Sequence, residues 1–160
     1  MATLSVTITE SCTLNGKDQG GTYSSFSNAS ITQVTKKIVK CLQDTEVALY
    51  KCADGLADAT GAATYKEGSV KYVRITNNAS SNYVILTIKN TSDGSGGVDE
   101  VYYKLGAKES FLLHSHEGSL NVGADADDPA IDSNNSDISI VVAEAKDGAS
   151  ELEVFIASID

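Results

Sequence analysis

Leu4, Val6 and Ile8 alternate with Thr3, Ser5, Thr7 and Thr9, a period of two that sets the apolar residues on one face of a strand. The same period returns at Val101, Tyr103 and Leu105, where Glu100, Tyr102 and Lys104 take the outward positions. It returns again at Phe111 and Leu113, opposite Leu112 and His114, then at Ile138, Ile140 and Val142, and at Leu152, Val154 and Ile156. Residues 70–76 and 82–89 flank the polar run 77–81, which predicts two strands joined by a tight loop. Within the second, Val84, Leu86 and Ile88 share one face and Tyr83, Ile85 and Thr87 the other, and partial burial of both faces fits a sandwich or an interface.

Residues 34–52 carry two patterns at once. Val34, Ile38, Cys41, Leu42, Thr45, Leu49 and Cys52 recur at three- and four-residue spacing, with Gly55 placed as a helix C-cap. Against a helix stand the Val, Ile and Thr content and Gln43-Asp44-Thr45, a turn between strands ending near Leu42 and starting near Glu46; a hairpin is the expectation. Small and polar residues from 15 to 30, with Gly20-Gly21 at the centre, predict a long loop, as does the Ala, Gly, Asp and Thr composition of 56–68. The chain is therefore expected to be all-β, a jelly-roll or Greek-key β-sandwich of about nine or ten short strands. Residues 1–15 form an N-terminal strand or arm in this reading, and 16–160 a single sandwich domain.

At 160 residues and 41% hydrophobic, the chain is long enough for one core. No apolar run approaches the roughly 20 residues that cross a bilayer, so no membrane contact is expected. The start, Met-Ala-Thr-Leu-Ser, lacks the basic and apolar blocks of an export signal, so a product that is not secreted is expected. Twelve basic against 22 acidic side chains leave a net charge of −10, and Arg74 is the only arginine. That balance repels phosphate polymers and counts against nucleic acid; it favours solubility or attraction to a basic protein surface. The three cysteines, Cys12, Cys41 and Cys52, are odd in number and contain no C-x-x-C pair, which fits reduced thiols, with a Cys41 to Cys52 bridge left open.

Candidate chemistry is sparse. His114-Ser115-His116-Glu117 is the one cluster with metal-ligand character, but Glu117 adjoins His116 and the chain holds no third histidine. Asp125, Asp127, Asp128, Asp132 and Asp137 concentrate oxygen donors without the spacing of a calcium loop. His114, His116, Asp125 and Asp127 are thus the weak metal candidates, and no cofactor and no catalytic residue is assigned. Ser95, between glycines, is followed by a strand rather than a helix, which fits a hairpin tip better than a phosphate nest.

The segments Val70-Lys-Tyr-Val-Arg-Ile-Thr-Asn77, Asn82-Tyr-Val-Ile-Leu-Thr-Ile88 and Tyr103-Lys-Leu-Gly-Ala-Lys-Glu-Ser-Phe-Leu-Leu-His114 resemble a pattern in small β-sandwich virion proteins of tailed bacteriophages. The pattern is a strand ending in Ile-Thr-Asn, a returning Asn-led strand, and a Leu-x-x-x-x-Ser-Phe strand, over about a quarter of the chain. The resemblance implies a non-enzymatic head-decoration (cement) or tail component, whose partners are the major capsid protein or other virion subunits. Copies forming a trimer or dimer are expected with it, and a location in the virion. Residues expected to meet such partners are Leu4, Val6 and Ile8, whose strand could add to a neighbour's sheet, and the outward Tyr102. Two other readings are a tail-associated carbohydrate- or receptor-binding module using Tyr102 and Tyr103, and a cupin-like metalloprotein using His114 and His116.

Overall fold

The computed structural model describes residues 2–53, 64–66, 68–90, 100–115 and 138–159. Among these residues the regular structure is all strand, and no helix is long and apolar enough to cross a membrane. Ala2–Glu10 (β1) pairs antiparallel with Gly21–Ile31 (β4), and Thr13–Leu14 (β2) pairs with Lys17–Asp18 (β3) to close the tip. The tip turn is Asn15-Gly16, both at positive φ (51° and 73°), the conformation of a two-residue hairpin turn whose twist matches its strands.

The N-terminal arm is therefore a strand pair reaching residue 31, and the boundary expected at residue 15 falls on its turn. The long loop expected over 15–30 is corrected: most of it is β3 and β4. Its apolar residues Tyr23, Phe26 and Ile31 are spaced by three and five because the pairing slips between Val6 and Thr7 and between Ala2 and Leu4. Each slip adds a residue to one strand and erases the period of two from its sequence.

Two further sheets form the body. One, in spatial order, is Glu100–Leu105 (β10), Tyr83–Asn90 (β9), Ile138–Lys146 (β12), Glu46–Ala53 (β6) and Thr64–Lys66 (β7). The other is Ser110–His114 (β11), Val70–Asn77 (β8), Ser150–Ser158 (β13) and Gln33–Cys41 (β5). All neighbours are antiparallel except β6 and β7. One apolar core draws on both sheets: Val73, Ile75, Leu152, Val154 and Ile156 from the second meet Val84, Leu86, Ile88, Val141 and Ala143 from the first. The expected β-sandwich is what forms, and burying each of these Val, Leu and Ile side chains stabilises it by about 1.5–3 kcal/mol.

Over 70–89 the two strands joined by a tight loop form as expected, whereas over 34–52 the expected hairpin is corrected to an arch. β5 and β6 belong to different sheets, as do β8 and β9. The connections 106–109 and 147–149 also cross between sheets. Each member of such a pair must aim an apolar face inward from opposite layers, which a hairpin within one sheet cannot do. Positive φ at Asp44, Lys108 and Asp147 marks three of these four crossings. Hydrogen bonds between them, such as Asn78 N–H to the Glu151 carbonyl at 2.9 Å and Lys108 N–H to that of Asn77 at 2.9 Å, gather crossings at one end.

Candidate interaction surfaces

Leu4 and Val6 are half-buried and pack with Phe26, Ile31, Tyr72 and Ala157 in a second apolar cluster, on the outer face of the four-stranded sheet. The Phe26 ring lies 6.2 Å from that of Tyr72 and 5.3 Å from that of His114. Thus the root of the hairpin is fastened to the body by residues expected to meet a partner. Beyond it, residues 9–23 are exposed apart from half-buried Gly20, with Leu14 at the tip 61% exposed. Ile8 stays half-buried, and β1 and β4 pair only with each other, so each keeps one edge free of strand partners among the described residues.

Tyr102 does face outward, 66% exposed, and its hydroxyl donates to the Glu100 carboxylate. Glu100 also accepts from Lys89 at 2.8 Å, and these two hydrogen bonds, that from Lys89 foremost, hold its carboxyl below the usual range. Tyr103 points to the other face of β10, where its ring meets Phe111 at 4.8 Å and closes the side of the sandwich between edge strands β10 and β11. The two tyrosines therefore cannot line one sugar-binding face together. Of the metal candidates, His114 sits against Phe26; His116, Asp125 and Asp127 lie outside the described residues, as does Ser95. Among the described residues no three His, Cys, Asp or Glu side chains converge on a common point.

At the end of the sandwich that carries the short crossings, a groove of about 300 Å³ is lined by Lys40, Asn78, Asn82, Ser150, Glu151 and three small neighbours. Lys40 and Glu151 stand opposite each other in register across it. Beneath lies fully buried Asn77, whose amide donates to the carbonyls of Asn82 (2.8 Å) and Gly106 (3.1 Å) and whose Oδ1 accepts the Ala79 N–H (3.1 Å).

The outer face of the four-stranded sheet was not singled out from the sequence. Its cross-strand rows read Val34, Ala157, Tyr72, His114; Lys36, Phe155, Arg74, Leu112; and Ile38, Glu153, Thr76, Ser110. Glu153 pairs with Lys36 at 3.1 Å and with Arg74, and the Lys36 hydrogen bond is the main reason its carboxyl sits below the usual range. The Arg74 guanidinium also lies over the Phe155 ring at 5.8 Å. The signal was present as Val34, Lys36, Ile38 and Lys40 on alternate residues, but the coincident four-residue spacing of Val34, Ile38 and Leu42 obscured it.

The chain's charge is uneven along its length. Twelve of the 22 acidic residues, and none of the 12 basic ones, fall in residues 54–63, 67, 91–99, 116–137 and 160, which lie outside the described residues. No family model, curated protein or solved structure matches the chain.

Proposed function

We propose that this protein is a non-enzymatic structural subunit that grips other protein subunits, and that it serves as a capsid decoration (cement) protein on a tailed-phage virion. The β-sandwich is consistent with that reading. The strand pairing supports it further: counting the eight main strands β5, β6 and β8 to β13 from one to eight, first pairs with eighth, second with seventh, third with sixth and fourth with fifth. We read this rolled ribbon as a jelly roll, an architecture common in shell proteins.

The observation that carries the proposal is the N-terminal hairpin. Its root is held by Phe26, Ile31, Leu4 and Val6, and its outer half presents an exposed ribbon with open edges, suited to β-addition on a neighbouring subunit. Many weak copies on a lattice add up to firm attachment. The test is co-sedimentation with shells assembled from the major capsid protein of the same virus. Wild-type protein is expected to saturate regular shell sites, and a chain with residues 11–19 replaced by a two-residue turn is expected to lose most of that binding. Failure of wild-type protein to bind any shell overturns the reading.

A further inference from the structure

Strand β5 is the edge of the four-stranded sheet: β13 occupies one side, and no described residue hydrogen-bonds its other side. It is nine residues long and contains neither proline nor glycine, so a full row of peptide groups is presented there. Val34 and Ile38 on its outer face are 52% and 56% exposed, and Leu42, just past its end, is 54% exposed. Between them on the same face stand Lys36 and Lys40. An incoming strand would thus meet an apolar, cationic, apolar, cationic, apolar ladder.

In the registers of greatest overlap, a second copy of this chain does not suit that edge. Antiparallel self-pairing centred on Lys36 or Lys37 sets that lysine against itself, and centring on Ile38 sets Lys36 against Lys40. Like charges directly opposite each other are destabilising. The strand already on β5 shows what does suit it: β13 offers Glu151, Glu153 and Phe155 opposite Lys40, Ile38 and Lys36. Lys36 gives one hydrogen bond to Glu153 at 3.1 Å yet stays 60% exposed, and Lys40 makes no ion pair among the described residues, so both keep N–H groups for a further carboxylate.

We infer that the free edge of β5 is a docking site for an extended segment of a partner protein whose outward face carries, on every second residue, acidic and apolar side chains by turns, added as a fifth strand to this sheet. The backbone supplies affinity, Lys36 and Lys40 choose acidic over basic partners, and Val34 and Ile38 fix the register. This site is separate from the N-terminal hairpin and does not rest on the virion reading.

Two labelled nonapeptides test it against the intact chain by fluorescence anisotropy, one reading Val-Thr-Glu-Thr-Val-Thr-Glu-Thr-Val, so that Val and Glu take turns on one face, the other with Lys in place of each Glu. The acidic peptide is expected to bind at least about tenfold more tightly than the basic one, and Lys36→Glu with Lys40→Glu to reverse that order. Lys40→Glu alone, which breaks no ion pair of the fold, is expected to narrow the preference; unfolding midpoints that stay well above the assay temperature certify the variants. Amide exchange of residues 33–41 is expected to slow on binding, while that of β10, the edge of the other sheet, stays as it was. Binding of neither peptide, a preference that survives charge reversal, protection away from β5, or a wild-type dimer abolished by Lys40→Glu would each overturn the inference.

Discussion

The side-chain amide of Asn77 donates to the backbone carbonyl of Asn82 at 2.8 Å, so one buried residue ties together both feet of the arch between β8 and β9. The same amide reaches Gly106, and the Asn82 side chain in turn donates to the Ala149 carbonyl at 3.1 Å, linking three of the four sheet crossings. Replacing Asn77 with Leu strips these carbonyls of a donor where water is excluded. A loss of about 2–4 kcal/mol is expected from chemical unfolding, larger than for Asn78→Leu on the exposed side of the same arch.

Gly148 supports the same end differently. Its φ of 121° is open to glycine, and a Cβ there would meet the Asn82 amide nitrogen at 2.8 Å. Gly148→Ala is expected to cost about 1–3 kcal/mol, partly relieved in an Asn82→Ala background if the clash with Asn82 contributes; additive losses would assign the cost to backbone strain alone.

Phe26→Ala should loosen one part of the molecule rather than all of it. The ring is 3% exposed and joins the hairpin to Tyr72 and His114, outside the main core. Amide exchange is expected to speed up across β1 and β4, with β8 and β13 holding their protection, because the inter-sheet core is untouched. Equal acceleration in all four strands would show that the hairpin is integral to the sandwich.

Glu153, Glu100 and Asp44 are held below the usual carboxylate range, chiefly by hydrogen bonds from Lys36, Lys89 and Lys146 respectively. For each, the unfolded chain binds its proton at higher pH than the folded one. Their stabilisation is therefore complete above the unfolded carboxylate range and is lost as pH falls through it to the depressed folded values. The urea midpoint is expected to decline from pH 6 toward pH 3, less steeply in Glu153→Gln and less steeply in high salt, since these pairs are exposed.

Burial pushes the Cys41 thiol up to about 11, while Cys12 is exposed near the hairpin tip. At pH 8 only about one Cys41 thiol in a thousand is ionised, so reaction with a thiol reagent is expected to wait for unfolding. Cys12 is expected to react first, in a fast phase that Cys12→Ser removes. Half-buried Cys52, its sulfur 2.6 Å from the Tyr50 hydroxyl, is expected to follow.

Where alternation was clean, strands were legible from the residues alone: Val84, Leu86 and Ile88, or Leu152, Val154 and Ile156, point one way because a strand repeats every two residues whatever it pairs with. Residues 15–30 carried only a loop's composition: the Asn15-Gly16 turn sits among small and polar residues, and β4 behind it was hidden by two register slips. Tertiary structure alone decided that adjacent strands such as β5 and β6 part into different layers, because which sheet a strand joins depends on pairing with residues far along the chain. It decided also that Leu4 and Val6 serve as anchors, while Val34, Lys36, Ile38 and Lys40 stand at an open edge. A side chain's face is a local property of the backbone; whether that face meets core, neighbour or water is settled only when distant strands arrive.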